Sequence, residues 1–340
     1  MIKLGLSFNP LRFLSHTGPN VFIKRLSKSF ENNKLFNVKS GILPNYDVGL
    51  FLVKKGKYDY NKPFFLRNGG MYIDIKNNIK HGNKINQDIF SSAEKSNGLI
   101  FNAEFCKKLF NSFYKLKNKV PSTVIFNGVP LDIFSPVGSN FRDNLGFSNR
   151  DKIIIVSASW RRHKRLEETI KLLEILNLEK KGNFKLIVLG KTHKKFKKNK
   201  NIIFAGQISP SSLPKWYRTA DIYLHMSWIE PNANTLHEAI ASGLPSLCCN
   251  NGGVGETIRI CNAGIVSNVD PEYQFNLVDY YNPPEPNYSI LKKDIFEIFE
   301  NKEDLRKKIN TYPIDINEIA KKYSYFINQN FKKKWIFLGN

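Results

Sequence analysis

The chain has 340 residues, 41% of them hydrophobic and 13% aromatic, with 52 Lys and Arg against 29 Asp and Glu, a formal net charge of +23. That length and apolar share exclude a disordered tail and leave room for two domains, each with its own core. The basic surplus is spread along the chain among abundant Asn, Ile and Phe, so it reads as compositional drift or as attraction to an anionic membrane or phosphate-bearing substrate; nucleic acid is not the expected partner.

Cys106, Cys248, Cys249 and Cys261 show no metal-ligand spacing and read as small core residues in a reducing compartment. No window approaches the roughly 18 apolar residues of a membrane span, and the opening MIKLGLSFNPLRFL reads as a strand rather than a signal peptide. A cytoplasmic protein is expected, one face of which could rest on the inner side of a membrane.

In chain order, residues 2–8 alternate as a strand. VFIKRLSKSF then places Val21, Phe22, Leu26 and Phe30 on one helical face. Gly18-Pro19 precedes that helix, where backbone can approach a ligand with the helix dipole behind it, or simply turn. YDVGLFLV and KPFFLRNGG read as strands, and Arg67 at the end of the second is a candidate anion or sugar contact, or else a surface charge. Residues 96–116 give a strand and a helix, and 122–136 a strand and a loop rich in turn formers, with a domain boundary soon after.

DKIIIVSASW restarts the pattern as a buried strand. RRHKRLEETIKLLEIL follows, with Leu166, Ile170, Leu173 and Leu176 on one face and the cations Arg161, Arg162 and Lys164 at its start, where side chains and a helix N-terminus can converge on phosphate. Strands NFKLIVLGK and NIIFAGQI, a helix SSLPKWYRTA and a strand DIYLHMS lead to the loop holding Glu230, Pro231 and Asn232. A short helix carries Glu238 and stops at Gly243, a buried strand SLCC opens onto Asn250–Gly253, and a helical tail starts near Asp315. Carboxylates for hydroxyls beside a helix N-terminus for phosphate suit a sugar joined to a phosphate. On its helix Glu238 is expected to point away from the buried face, with Thr235 and Ala241 small enough to admit a ligand.

With these residues in hand, the chain resembles the GT-B glycosyltransferases of the family 4 type, which are retaining and use nucleotide sugars. The E-x7-E signature is Glu230 and Glu238 within E-P-N-A-N-T-L-H-E-A-I-A-S-G-L-P, followed by N-G-G-V-G-E. Supporting matches are F-N-G-V-P-L-D-I-F-S-P, S-W-R-R-H-K-R-L and F-A-G-Q-I. The likeness covers the second half nearly throughout and is looser over residues 1–120.

The resemblance implies an α/β fold of two doubly wound Rossmann-like domains facing a central cleft: an acceptor-side domain at 1–137, a donor-binding domain at 138–314, and a helix at about 315–340 packing back on the first. It implies that Glu230 contacts sugar hydroxyls, Glu238 the ribose, and Arg161 and Lys164 the diphosphate, so that no metal or cofactor is needed. It further places Gly18 by the diphosphate, Gln207 and Ile208 by the base, and Asn232, Asn234 and Thr235 at phosphate or sugar. The implied acceptor is a glycan or lipid-linked molecule of surface polysaccharide or glycoconjugate synthesis. Two departures stand out. The family's first-domain histidine has only His16 and His81 as candidates, and Pro231-Asn232 replaces the Gly-Phe of many relatives. A non-catalytic sugar-nucleotide-binding protein, or an epimerase or phosphorylase of the same architecture, are the alternatives.

Overall fold

The computed structural model describes residues 1–6, 18–39, 45–53, 62–77, 82–192 and 195–331. The chain forms two compact units, the first made of Met1–Pro130, Gln274–Val278 and Pro313–Asn340, the second of Leu131–Tyr273 and Asp279–Tyr312.

In the first unit the strands are β1 (Lys3–Leu6), β2 (Asn37–Lys39), β3 (Val48–Leu52), β4 (Phe64–Asn68), β5 (Gly98–Phe101) and β6 (Ser122–Val124). They form one sheet in the order β2-β1-β3-β4-β5-β6, and every pairing is parallel. Helices α1 (Gly18–Asn32), α2 (Ile75–Asn77), α3 (Asn83–Lys95) and α4 (Glu104–Phe113) connect them, and the chain's last helix, α11 (Ile316–Phe331), returns to this unit. Helix α11 buries Ile319, Tyr323 and Ile327 in one cluster with Phe22, Leu26 and Phe30 of α1 and Leu4, Val48 and Phe65 of the sheet.

Two expectations change here. Gly18 is the first residue of α1 rather than part of a loop before it, since Pro19 tolerates a first helical turn, where its missing N–H costs nothing. Arg67 is not a surface charge: it is 4% exposed. Its Nε donates to the Tyr323 hydroxyl at 3.1 Å, its Nη2 bonds Asn127, and its guanidinium lies 4.5 Å from the Phe22 ring centre. A buried guanidinium needs these partners, and they tie β4 to α11.

The second unit repeats the pattern with β7 (Asp151–Ser157), α5 (Leu166–Leu178), β8 (Asn183–Leu189), β9 (Ile202–Gly206), α6 (Leu213–Tyr217), β10 (Ile222–His225), α7 (Asn234–Ala241), β11 (Ser246–Cys249), α8 (Val254–Ile260), β12 (Gly264–Ser267), α9 (Tyr288–Glu300) and α10 (Lys302–Lys308). Its six strands run in the order β12-β11-β10-β7-β8-β9, again all parallel. The apolar runs of β7 and β8 are covered by Leu172, Leu173 and Leu176 of α5 and by Leu291, Ile295 and Ile298 of α9. All four cysteines are buried and unbridged, three of them in this unit.

From β7 the chain winds outward through β8 and β9, then returns to the opposite side of β7 as β10. Strand order therefore reverses between β7 and β10, and the crevice at the C-terminal ends of strands at such a reversal is the place where open α/β sheets bind ligands.

Candidate functional site

The loop after β7 holds Arg161, a short 3₁₀ turn Arg162–Lys164, and Arg165. The loop after β10 holds Glu230. The two loops meet at the crevice: the Trp228 N–H donates to the His163 carbonyl at 2.9 Å, and the Lys164 ammonium forms a salt bridge with the Glu230 carboxylate. Both side chains are mostly enclosed, 16% and 15% exposed. Burial pushes the Glu230 carboxyl up, but the Lys164 charge, with His225 and His163, pulls it net below its usual range.

Glu230 is held from behind as well. It forms a parallel bridge with Gly252, and the Gly253 N–H donates to its carbonyl at 2.9 Å. Gly252 has φ +117°, and a Cβ there would lie 2.2 Å from the Glu230 carbonyl oxygen. Only glycine tolerates that φ and that approach, so Gly252→Ala is expected to displace Glu230. Donor turnover should fall at least about tenfold, as misplacing a reacting group does, while the far-ultraviolet circular dichroism stays native. Unchanged turnover would refute the clasp. Ile229 has φ +50°, a conformation that costs a β-branched residue energy and concentrates at working sites.

Two histidines that sequence reading passed over flank the pair. His163 is stacked 4.4 Å from Tyr280, whose hydroxyl donates to the Ile229 carbonyl at 3.4 Å. Burial, reinforced by Lys164, lowers His163 to about 3. His225, the last residue of β10, is lowered to about 4 by burial, with Glu230 opposing and Lys164 adding to the shift. Both rings are therefore neutral at pH 7. The recognisable signal was a histidine ending a buried strand at a switch point, visible only once strand order is known.

Helix α7 starts behind Ala233 without a side-chain cap, so the N–H groups of its first turn face the crevice edge with the positive end of its dipole. Asn232, Asn234 and Thr235 lie along this edge, each half-buried, and Thr235 Oγ1 accepts from the Tyr223 hydroxyl at 2.9 Å. Glu238 differs from expectation. It is 3% exposed and its Oε2 accepts from the Tyr217 hydroxyl at 3.1 Å. Helix α6 covers the face that was to admit a ligand, and a carboxylate so enclosed must be hydrogen-bonded.

Gln207 and Ile208 follow β9 on the edge of this sheet, the first exposed and the second half-buried. Arg161 is exposed on the crevice loop. Gly18 and Arg67 belong to the first unit, and His16 and His81 lie outside the described residues. A cavity of about 450 Å³ lies elsewhere in the second unit, between Pro136, Arg218, Gly243 and Arg306. There both arginines are engaged with protein, Arg218 with the Ser135 and Ser139 carbonyls and Arg306 with Glu303 and the Asp221 carbonyl. Volume alone does not outweigh the paired charges at the switch point.

Residues 139–274 match the family model of glycosyl transferases group 1. Among solved structures, sucrose-phosphate synthase from Thermosynechococcus elongatus superposes with a TM-score of 0.74 at 13% identity, covering 97% of this chain and 99% of that one. The chain has the two-domain α/β fold of the GT-B glycosyltransferases. HepE of Anabaena, in complex with UDP and glucose, has the same fold, with a TM-score of 0.66 at 13% identity over 97% of this chain and all of its own. Among curated proteins, Protein CapJ of Staphylococcus aureus is 29% identical over 231 residues, 64% of this chain and 54% of CapJ, so the match spans about half the length of that relative. Lys164, Glu230, His225 and α7 all fall within the group 1 match, whereas Gly18 and Arg67 fall outside it.

Proposed function

We propose that this GT-B chain is a retaining glycosyltransferase that moves a sugar from a nucleotide-diphosphate donor to a glycan or lipid-linked acceptor, without a metal. One observation carries the reading: a cation and a carboxylate, Lys164 and Glu230, meet at the strand-order reversal of the group 1 domain, beside the uncapped start of α7. Lys164 and Arg161 take the charge that develops on the diphosphate as it leaves, assisted by the α7 amides. Glu230 accepts hydrogen bonds from sugar hydroxyls and fixes the ring. The acceptor hydroxyl attacks the anomeric carbon from the face the phosphate leaves. The carbon–oxygen bond to phosphate breaks as the new one forms, and the acceptor's proton passes to the departing phosphate oxygen. In the same reading Gln207 and Ile208 border the base.

The test is product analysis with radiolabelled UDP- and GDP-hexoses, in EDTA, with cell-envelope lipid and soluble glycan as acceptors. A new glycoside with the donor's anomeric configuration is expected. Label in the organic phase would mark a lipid-linked acceptor, the case in which contact with an anionic membrane would also serve the enzyme. Epimerised donor, sugar phosphate, or no turnover of any donor would replace this reading with one of its rivals.

A further inference from the structure

The transfer chemistry leaves His225 without a role. This residue ends β10 at the strand-order reversal, is 4% exposed, and lines a small recess with Lys164, Ser157 and Ser227. On the same strand face Tyr223 stands between it and α7. The Tyr223 hydroxyl donates to Thr235 Oγ1 at 2.9 Å and lies 3.4 Å from His225 Nδ1. A phenol has one proton to give. With that proton on Thr235, Nδ1 carries the ring's own proton and donates to the phenolic oxygen, leaving Nε2 as a bare lone pair. Nε2 is buried and has no hydrogen-bond partner among the described residues. Lys164, which lines the same recess, gives its ammonium to Glu230.

A buried acceptor without a donor is costly unless a ligand supplies one. A bare imidazole nitrogen repels phosphate oxygens and fits a hydroxyl. We propose that Nε2 of His225 accepts a hydrogen bond from one hydroxyl of the transferred sugar, making it a specificity-determining contact of the donor site. This contact rests on the glycosyltransferase reading. It separates two jobs that sequence alone merges: Lys164, Arg161 and α7 hold the diphosphate, while His225 at the end of β10 and Glu230 in the loop that follows it read the sugar.

The experiment compares wild type, His225→Ala and His225→Gln on the hexose donor that wild type transfers and on each singly deoxygenated analogue of it. Free UDP and GDP binding is measured by calorimetry, and folding by thermal midpoint. On the intact donor His225→Ala should lose about 10- to 100-fold in kcat/KM, the size of one hydrogen bond to a buried acceptor. On one deoxy analogue the same variant should lose nothing, because the hydroxyl it would miss is already absent. Nucleotide affinity should not move, and His225→Gln, which keeps an acceptor oxygen, should recover part of the loss. Equal loss on every analogue, or weaker nucleotide binding, would mean that His225 only shapes the site and would overturn the contact. A wild type that transfers sugar while His225→Ala shows no analogue dependence removes the contact alone. A wild type that binds neither UDP nor GDP removes the glycosyltransferase reading and the contact together.

Discussion

Lys164→Ala and Glu230→Gln are expected to abolish transfer alike but to move nucleotide binding in opposite directions. Each should cost on the order of 10²–10³ in kcat, the usual loss when one charge aimed at a transition state is removed. Their ground-state effects separate because the two side chains are paired with each other before any ligand arrives. A diphosphate must draw Lys164 away from Glu230 and then sit near a carboxylate that is enclosed with it. Removing the ammonium leaves that carboxylate unopposed, so Lys164→Ala should weaken UDP or GDP binding. Removing the carboxylate's charge frees the ammonium and lifts the repulsion, so Glu230→Gln should bind the free nucleotide more tightly while failing to orient the sugar. Calorimetry on both variants, with turnover measured alongside, decides the matter. Weaker nucleotide binding by Glu230→Gln, or full turnover by Lys164→Ala, would dismantle the assignment.

The same pair sets a pH dependence whose sign follows from its shift. Glu230 has a folded-state pKa below its unfolded value, so the pair contributes stability above the ordinary carboxylate range and loses it as pH falls through the depressed folded value. The Glu230→Gln variant should lack that component of the acid limb.

How legible this site was depended on how local each signal is. The apolar runs of β7 and β8 and the glutamate loop could be read in place, because buried parallel strands and helix starts announce themselves within a few residues. The Lys164–Glu230 contact could not, since it exists only because β10 returns to the far side of β7. Glu238 misled for a related reason. A helical face looks free until one knows that α6 lies over it with Tyr217. Within RRHKR, sequence supplied four cations of equal appearance. Burial sorts them: Arg161 and Arg162 are exposed, Lys164 turns to Glu230, and Arg165 is fully enclosed. The short strand β2 carries too little apolar pattern to be read in advance.

Asp270→Ala is expected to destabilise the fold more than any of the site substitutions above. Arg165 is 0% exposed and has a left-handed backbone, φ +55°, at the junction between the 3₁₀ turn and α5. Its guanidinium is fork-bonded to Asp270, Nη1 to Oδ2 at 2.9 Å and Nη2 to Oδ1 at 2.6 Å, and Nη2 also donates to the Pro284 carbonyl at 2.8 Å. Asp270 is tied in turn to Asn250, its N–H donating to Asn250 Oδ1 at 3.1 Å and its carbonyl accepting from Asn250 Nδ2 at 3.0 Å. One buried pair thus anchors both the loop that presents Lys164 and the loop that clasps Glu230. Removing the carboxylate leaves a guanidinium buried without its counter-charge, a loss of roughly 3–5 kcal/mol, or on the order of 10 °C in the melting of a domain this size. Replacing both partners with apolar residues, Arg165→Met with Asp270→Leu, removes the uncompensated charge and should restore most of that stability. Turnover should stay low in the double variant, because nothing then fixes the turn before α5 that aims Lys164. Calorimetric melting of the three proteins checks the first part and donor turnover the second. A wild-type melting temperature for Asp270→Ala would show that the pair is no anchor, and full turnover by the double variant would show that Lys164 is held in place without it.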